Sequence, residues 1–255
     1  MNFGVSLQSH IQNSWKHTVL AEQMSFTNVW FVDTQMLASD VYACMTLAAE
    51  HTNTIQLGTA VAIAGTRIAP VIAHSIATVN QLAPGRVILG LGSGHTAWRA
   101  MGMPPVRLDT FRATIEVCRK LLRGEAVEYH ERGRQSQIRF LDREHGYVNL
   151  DDPVPIYLAA SYPKALALAG ELGDGFFPGR GRPEELAALF DHARRFAEES
   201  GRDPDALEFT AGGPTTPDYV EQLADLGVTR MIVPPMDPAQ FNKFGEEVIS
   251  QFSDA

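Results

Sequence analysis

IQLGTAVAIAGTRIAPVIAHSIATVNQLAPGRVILGLG, residues 55–92, reads as strand, helix, strand. A β-branched and apolar run at 55–61 gives way to a segment whose apolar positions recur at helical spacing. The turn signal Pro84, Gly85, Arg86 then leads into a second continuous apolar run at 86–92. Neither run alternates apolar with polar residues, which is the pattern of strands covered on both faces, and two such strands joined through a helix run parallel. The unit repeats along the chain. Further strands read at 3–7, 29–33, 155–160, 175–179, 207–212 and 229–235, each followed by turn residues and a helical pattern. Eight βα units in 255 residues suit a closed (β/α)8 TIM barrel, whose usual size is roughly 250 residues. We therefore expect an α/β barrel forming one domain over 1–255, with an open doubly wound sheet as the alternative.

Helix punctuation supports this order. In PEELAALFDHARRFAEESG, Pro183 suits a first helical position, Glu184 and Glu185 complement the positive end of the dipole, Leu186, Leu189, Phe190, Ala193, Phe196 and Ala197 line one face, and Gly201 stops the helix. In DTFRATIEVCRKLL, Asp109 or Thr110 is the expected cap. Phe111, Ile115, Cys118 and Leu122 form the inward stripe, and Gly124 ends it. Residues 125–155 break the rhythm with a polar, charge-mixed excursion after the fourth unit. It reads as a solvated loop with a small hairpin.

Composition narrows the function classes. With 21 Lys and Arg against 30 Asp and Glu the net charge is −9, so nucleic acid is not an expected partner. Cys44 and Cys118 make no disulfide framework or metal-ligand cluster. The opening MNFGVSLQSH has neither the basic region nor the apolar region of a signal peptide, and no run approaches a membrane span. The expectation is a cytoplasmic protein without membrane or metal.

In a parallel barrel, chemistry sits at the carboxyl ends of the strands. Those positions hold Ser6 and Gln8, Asp33 and Thr34, Ala60 and Val61, Gly92, Ser93, Gly94, His95 and Thr96, Ala159, Ala160 and Ser161, Arg180 and Arg182, and Gly212 with Gly213. Small residues at several ends leave room for a flat ligand to approach backbone. Asp33 could accept a hydrogen bond from a ring N–H or a substrate hydroxyl, or cap the next helix instead. His95 could transfer a proton near neutral pH. Arg180 and Arg182 could fork onto a phosphate or carboxylate, or be solvated loop charges. Asp33 and His95 alone are too few ligands for a metal-dependent hydrolase.

The residues LGTAV (57–61), APGR (83–86), LGLGSG (89–94), LAAS (158–161) and ALALAGELGDG (165–175), together with VWFVD (29–33), resemble the bacterial luciferase-like flavin and deazaflavin oxidoreductases. Within that family the chain is most similar to the branch that uses coenzyme F420. The resemblance implies hydride transfer between F420 and a small organic substrate, in a barrel that often pairs as a homodimer through its early helices. It also implies a non-prolyl cis peptide between Ala60 and Val61 behind the deazaflavin ring. Ring or backbone contacts carry over to Asp33 and Thr34, to Gly92, Ser93, Gly94 and His95, and to Ala159, Ala160 and Ser161. Asp33 and His95 become the candidate catalytic residues, with Ser6, Gln8, Arg180 and Arg182 toward the substrate. The F420-dependent sugar-phosphate dehydrogenases carry a His after the Asp and a Glu after the glycine turn, where this chain has Thr34 and His95. FMN-using members place an Arg in that turn where Ser93 stands here, so F420 is expected over FMN. The alternatives are an FMN-dependent monooxygenase and a non-catalytic cofactor-binding homologue. After the seventh strand the family's connection is shortened to GGPTT.

Overall fold

The structure, a computed structural model, describes residues 1–179 and 181–252. Its strands are β1 (Asn2–Gln8), β2 (Asn28–Val32), β3 (Gln56–Thr59), a short β4 (Ala62–Ile63), β5 (Val87–Gly92), β6 (Val127–Glu131), β7 (Arg134–Ile138), β8 (Ile156–Ala159), β9 (Gly175–Phe177), β10 (Glu208–Gly212) and β11 (Val228–Val233). All pairings but β6–β7 are parallel, and the order β3-β2-β1-β11-β10-β9-β8-β5 closes on itself because β3 also pairs with β5, Leu57 opposite Val87 and Gly58 opposite Ile88. This is the closed barrel and not the open sheet. Around it run α1 (Ser14–Gln23), α2 (Val41–His51), α3 (Ala69–Leu82), α4 (Thr96–Met101), α5 (Leu108–Leu122), α6 (Pro163–Leu172), α7 (Pro183–Glu199), α8 (Pro217–Asp225) and α9 (Pro238–Phe244).

Three local expectations change. The third strand is not continuous over 55–61: it stops at Thr59, and Ala62 and Ile63 resume beside Leu91 and Gly92 of β5. The peptide between Ala60 and Val61, at the interruption, is cis. The fourth unit has an extra helix, α4, directly after the glycine turn. And α5 begins one residue before Asp109 with no side-chain cap, because the Asp109 carboxylate is held by Arg107 at 2.9 Å and by the Thr110 amide at 2.7 Å within the first turn. Its expected inward stripe is buried, and burial pushes the Cys118 thiol up to about 12. The excursion does form a hairpin, β6–β7, mostly exposed on its second strand.

Inside the barrel, every second residue of each strand faces the axis. Trp30 and Tyr157 fill the middle, and glycines make room for them. A Cβ on Gly58 would lie 2.3 Å from the Trp30 ring, and one on Gly175 would lie 2.6 Å from Tyr157. Burying an aromatic side chain removes roughly 150–250 Å² from water, about 4–6 kcal/mol, which more than offsets the small cost of glycine in a strand. Toward the amino ends a polar layer closes the interior. Arg230 donates to Glu208 at 2.7 Å and to Gln56 at 2.6 Å, and the Tyr157 hydroxyl donates to Glu208 at 2.6 Å.

Candidate active site

At the carboxyl ends the interior turns apolar and shallow. Trp30, Ile88, Tyr157 and Phe177 form a buried layer, and Ala60, Val61, Ala159 and Ile232 pack on it while remaining partly exposed. They make an apolar floor at the barrel mouth, contributed by β8, β11 and the break after β3. Gly90 and Gly92 keep that floor low: a Cβ on Gly90 would lie 1.9 Å from the Thr59 carbonyl oxygen, and one on Gly92 would lie 2.4 Å from Val61 Cγ2 and 3.3 Å from Ala159 Cβ. Strand-end glycine is here a requirement of close approach. Gly94 is one as well, at φ +67 and with Ile63 beside it.

Asp33 is buried at the end of β2 and already has partners. Its Oδ2 accepts from Arg67 Nη1 at 2.8 Å and from the Ile63 amide at 3.4 Å, and its Oδ1 accepts from Gln35 Nε2 at 2.7 Å. It does not cap the next helix. That cap is Asp40, which accepts from the amides of Tyr42 and Ala43 at 3.0 and 3.1 Å. Arg67 joins the two carboxylates, placing Nη2 2.5 Å from Asp40 Oδ2. Burial acts against the charge of both groups, but the pairing outweighs it: the Asp40 carboxyl is held below its ordinary range, and the Arg67 guanidinium is held firmly protonated by Asp33 and Asp40.

The glycine turn places the other candidates along the rim. Ser93 and His95 are exposed, the Ser93 carbonyl accepting from Trp98 Nε1 and the His95 carbonyl from the Arg99 amide at 3.3 Å. Across the mouth, Ala160 donates its amide to Phe177 at 3.1 Å, and the exposed Ser161 donates its hydroxyl to the Pro178 carbonyl at 3.1 Å. Ser6 and Gln8 follow Gly4 on the inward side of β1, with Ser6 half-buried and Gln8 exposed, and Thr34 is half-buried beside Asp33.

A cleft of about 620 Å³ opens at the ends of β9, β10 and β11, lined by Gly181, Arg182, Glu185, Gly213, Tyr219 and Ile232 among others, a size suited to a small organic ligand. The expected anion fork of Arg182 is engaged there. Its guanidinium donates to Glu185 at 2.8 Å, within the same helix turn, and the mutual pairing raises the arginine and lowers the carboxyl. Arg180 lies outside the described residues. Residues 213–216 lead directly from β10 into α8, as the short GGPTT connection implies.

The luciferase-like monooxygenase family model matches residues 1–250. The chain belongs to that family. It is 37% identical over 194 residues to 5,10-methylenetetrahydromethanopterin reductase of Methanolobus tindarius, covering 75% of this chain and 57% of the relative. It is also 37% identical over 186 residues to F420-dependent glucose-6-phosphate dehydrogenase of Beutenbergia cavernae, covering 67% of this chain and 53% of the relative. This luciferase-like chain thus spans little more than half the length of the curated relatives it matches. The structure of the coenzyme F420-dependent tetrahydromethanopterin reductase of Methanopyrus kandleri superposes with a TM-score of 0.82 at 19% identity, over 98% of this chain and 99% of that one, which confirms the TIM-barrel fold.

Sequence reasoning missed Arg67. Between Glu50 and Arg86 it is the one residue with a formal charge, and a lone cation in an apolar stretch needs a carboxylate from elsewhere. That was the available signal. It also missed the inward residues Trp30, Phe177 and Ile232, which lie within apolar runs that were read only as strand.

Proposed function

We propose that the chain is an F420-dependent oxidoreductase acting on a small organic substrate. The apolar floor carries this reading. Ala60, Val61, Ala159 and Ile232 present partly exposed apolar surface over a rigid aromatic layer, and glycines stand where any side chain would rise into it. That is the surface on which a planar tricyclic ring can be buried. The curated relatives named above are F420-dependent by name or act on a methanopterin, and Ser93 in the glycine turn supplies no cation for an FMN phosphate.

A bound deazaflavin would supply hydride chemistry at its ring carbon. The chain's own residues would orient and enclose it. Ala60, Val61, Ala159 and Ala160 would support the ring, Asp33 with Thr34 would meet its polar edge, and Gly92, Ser93, Gly94 and Ser161 would offer backbone and hydroxyl groups. His95, exposed at the head of α4, would hold or release the proton that accompanies hydride transfer. Ser6 and Gln8 would face the substrate from β1, and the cleft beside Ile232 would admit it. Because Arg182 is paired with Glu185, its pull on an anionic substrate is weakened.

Titration of the purified protein with F420 and with FMN, followed by cofactor fluorescence, tests the assignment. F420 is expected to bind more tightly, and tighter FMN would overturn it. Replacing His95 by Ala or Asn should lower turnover of any accepted substrate by about a hundredfold with cofactor affinity retained; unchanged turnover removes its role.

The assembly proposed is a homodimer through α2 and α3. No residue of α3 carries a formal charge, and α2 has only Glu50. Ile68, Val71 and Leu82 point apolar surface outward there. Copies of a chain at −9 repel each other, so an uncharged face is where they can meet. The free, buried Cys44 and Cys118 fit the reducing cytoplasm, and among the described residues no helix is long and apolar enough to cross a membrane.

A further inference from the structure

Arg67 joins three segments that are distant in sequence: the end of β2 through Asp33, the start of α2 through Asp40, and its own loop after the broken third strand. Its side chain is 17% exposed, its two terminal nitrogens each take a different carboxylate, and its guanidinium lies 5.1 Å from the centroid of the buried Tyr42 ring. Asp33 in turn receives the Ile63 amide, so the carboxylate ties β2 to the segment carrying Ala60 and Val61. Among the described residues Asp33 Oδ1 accepts only from Gln35, which leaves acceptor capacity on a carboxylate oriented from its other oxygen.

We propose that Arg67 is a positioning residue for the cofactor site. By holding Asp33 and Asp40 in one planar fork it sets the direction of the Asp33 carboxylate and the height of the floor segment beside it. This rests on the F420 reading above. Lysine cannot replace it, since an ammonium is a single point charge and does not present two parallel donors to two carboxylates in fixed directions.

The test is a double-mutant cycle on the full chain. Arg67→Lys and Arg67→Met are made alone and in an Asp33→Asn background. The affinity for F420 is read from fluorescence quenching, the environment of its ring from the absorption spectrum of the bound form, and folding from thermal melting. Arg67→Lys keeps a charge to pair and serves if Arg67→Met does not fold. Arg67→Lys alone should weaken F420 binding by about tenfold and shift the bound spectrum, the size expected for one charge-assisted hydrogen bond misdirected. In the Asp33→Asn background the same substitution should change affinity by less than about threefold, because the group it orients has been altered. Equal losses in both backgrounds, or wild-type affinity and spectrum in Arg67→Lys, overturn the positioning role while the cofactor assignment stands. Failure of the wild-type chain to bind F420 removes both.

Discussion

Replacing Gly92 by Ala puts a methyl group where the barrel mouth has no space for one. The new Cβ would lie 2.4 Å from Val61 Cγ2, about 1 Å inside ordinary contact, and 3.3 Å from Ala159 Cβ. Gly92 does not occupy the left-handed backbone region, so the backbone itself tolerates alanine and the whole penalty is spatial. Overpacking of this kind costs about 1–3 kcal/mol, partly offset by the roughly 0.4–1 kcal/mol gained from restricting the unfolded chain. The atom in the way is the end of a valine side chain, which identifies its own remedy. In a Val61→Ala background the nearest remaining contacts are 3.3 Å to Ala159 Cβ and 3.5 Å to the Cβ of residue 61. There Gly92→Ala should be close to neutral. Urea unfolding of the two single variants, the double variant and the wild type measures the coupling, and the single Gly92→Ala variant should also melt lower by about 2–4 °C per kcal/mol lost. If Gly92→Ala destabilises equally in both backgrounds, or not at all in the wild type, the account of the floor as sterically closed at this point is wrong.

Two further outcomes follow from polar contacts away from the mouth. Glu22 Oε1 accepts from the amides of Asn53, Thr54 and Ile55 at 2.9, 2.7 and 2.9 Å; burial raises its pKa but these donors outweigh that, and the carboxyl is held below the usual glutamate range. Its contribution is therefore fully present well above the ordinary glutamate pKa and is lost as pH falls through the lower folded value, so Glu22→Gln, which keeps an accepting oxygen but loses the charge in a largely solvated position, should lose about 0.5–1 kcal/mol near neutrality and show a shallower acid decline of the urea midpoint; a parallel decline would refute it. Glu208→Gln leaves the Arg230 guanidinium, 8% exposed, without its carboxylate, and should cost about 1–3 kcal/mol given that Glu208 itself is partly solvated. Calorimetry showing Glu208→Gln as stable as the wild type would remove the pair from the account of the barrel's lower end.

The fold was legible because strands covered on both faces read as uninterrupted apolar runs. All eight barrel strands stand where those runs are, and the polar excursion holds the hairpin. The interruption after Thr59 was not legible from residue types, since Thr59, Ala60 and Val61 have nothing in their chemistry that stops a strand. At the site, the rim positions of Asp33, His95, Ala160 and Ser161 followed from topology alone. Their partners did not, because the Arg67–Asp33 bond joins residues 34 apart in sequence through the side-by-side pairing of β2 and β3, which brings the loop after the broken third strand to the end of β2. The Arg182–Glu185 pair is different. Its spacing of three residues at a helix start was visible in the sequence, where the glutamate was read only as a partner of the helix dipole.

The layer of Arg230, Glu208, Gln56 and Tyr157 braces the barrel from below and the buried rings of Trp30 and Tyr157 fill its middle, so the mouth is a shallow dish that can be reached from one side. Anything lying flat on that floor would keep one face against the protein and leave the other facing outward.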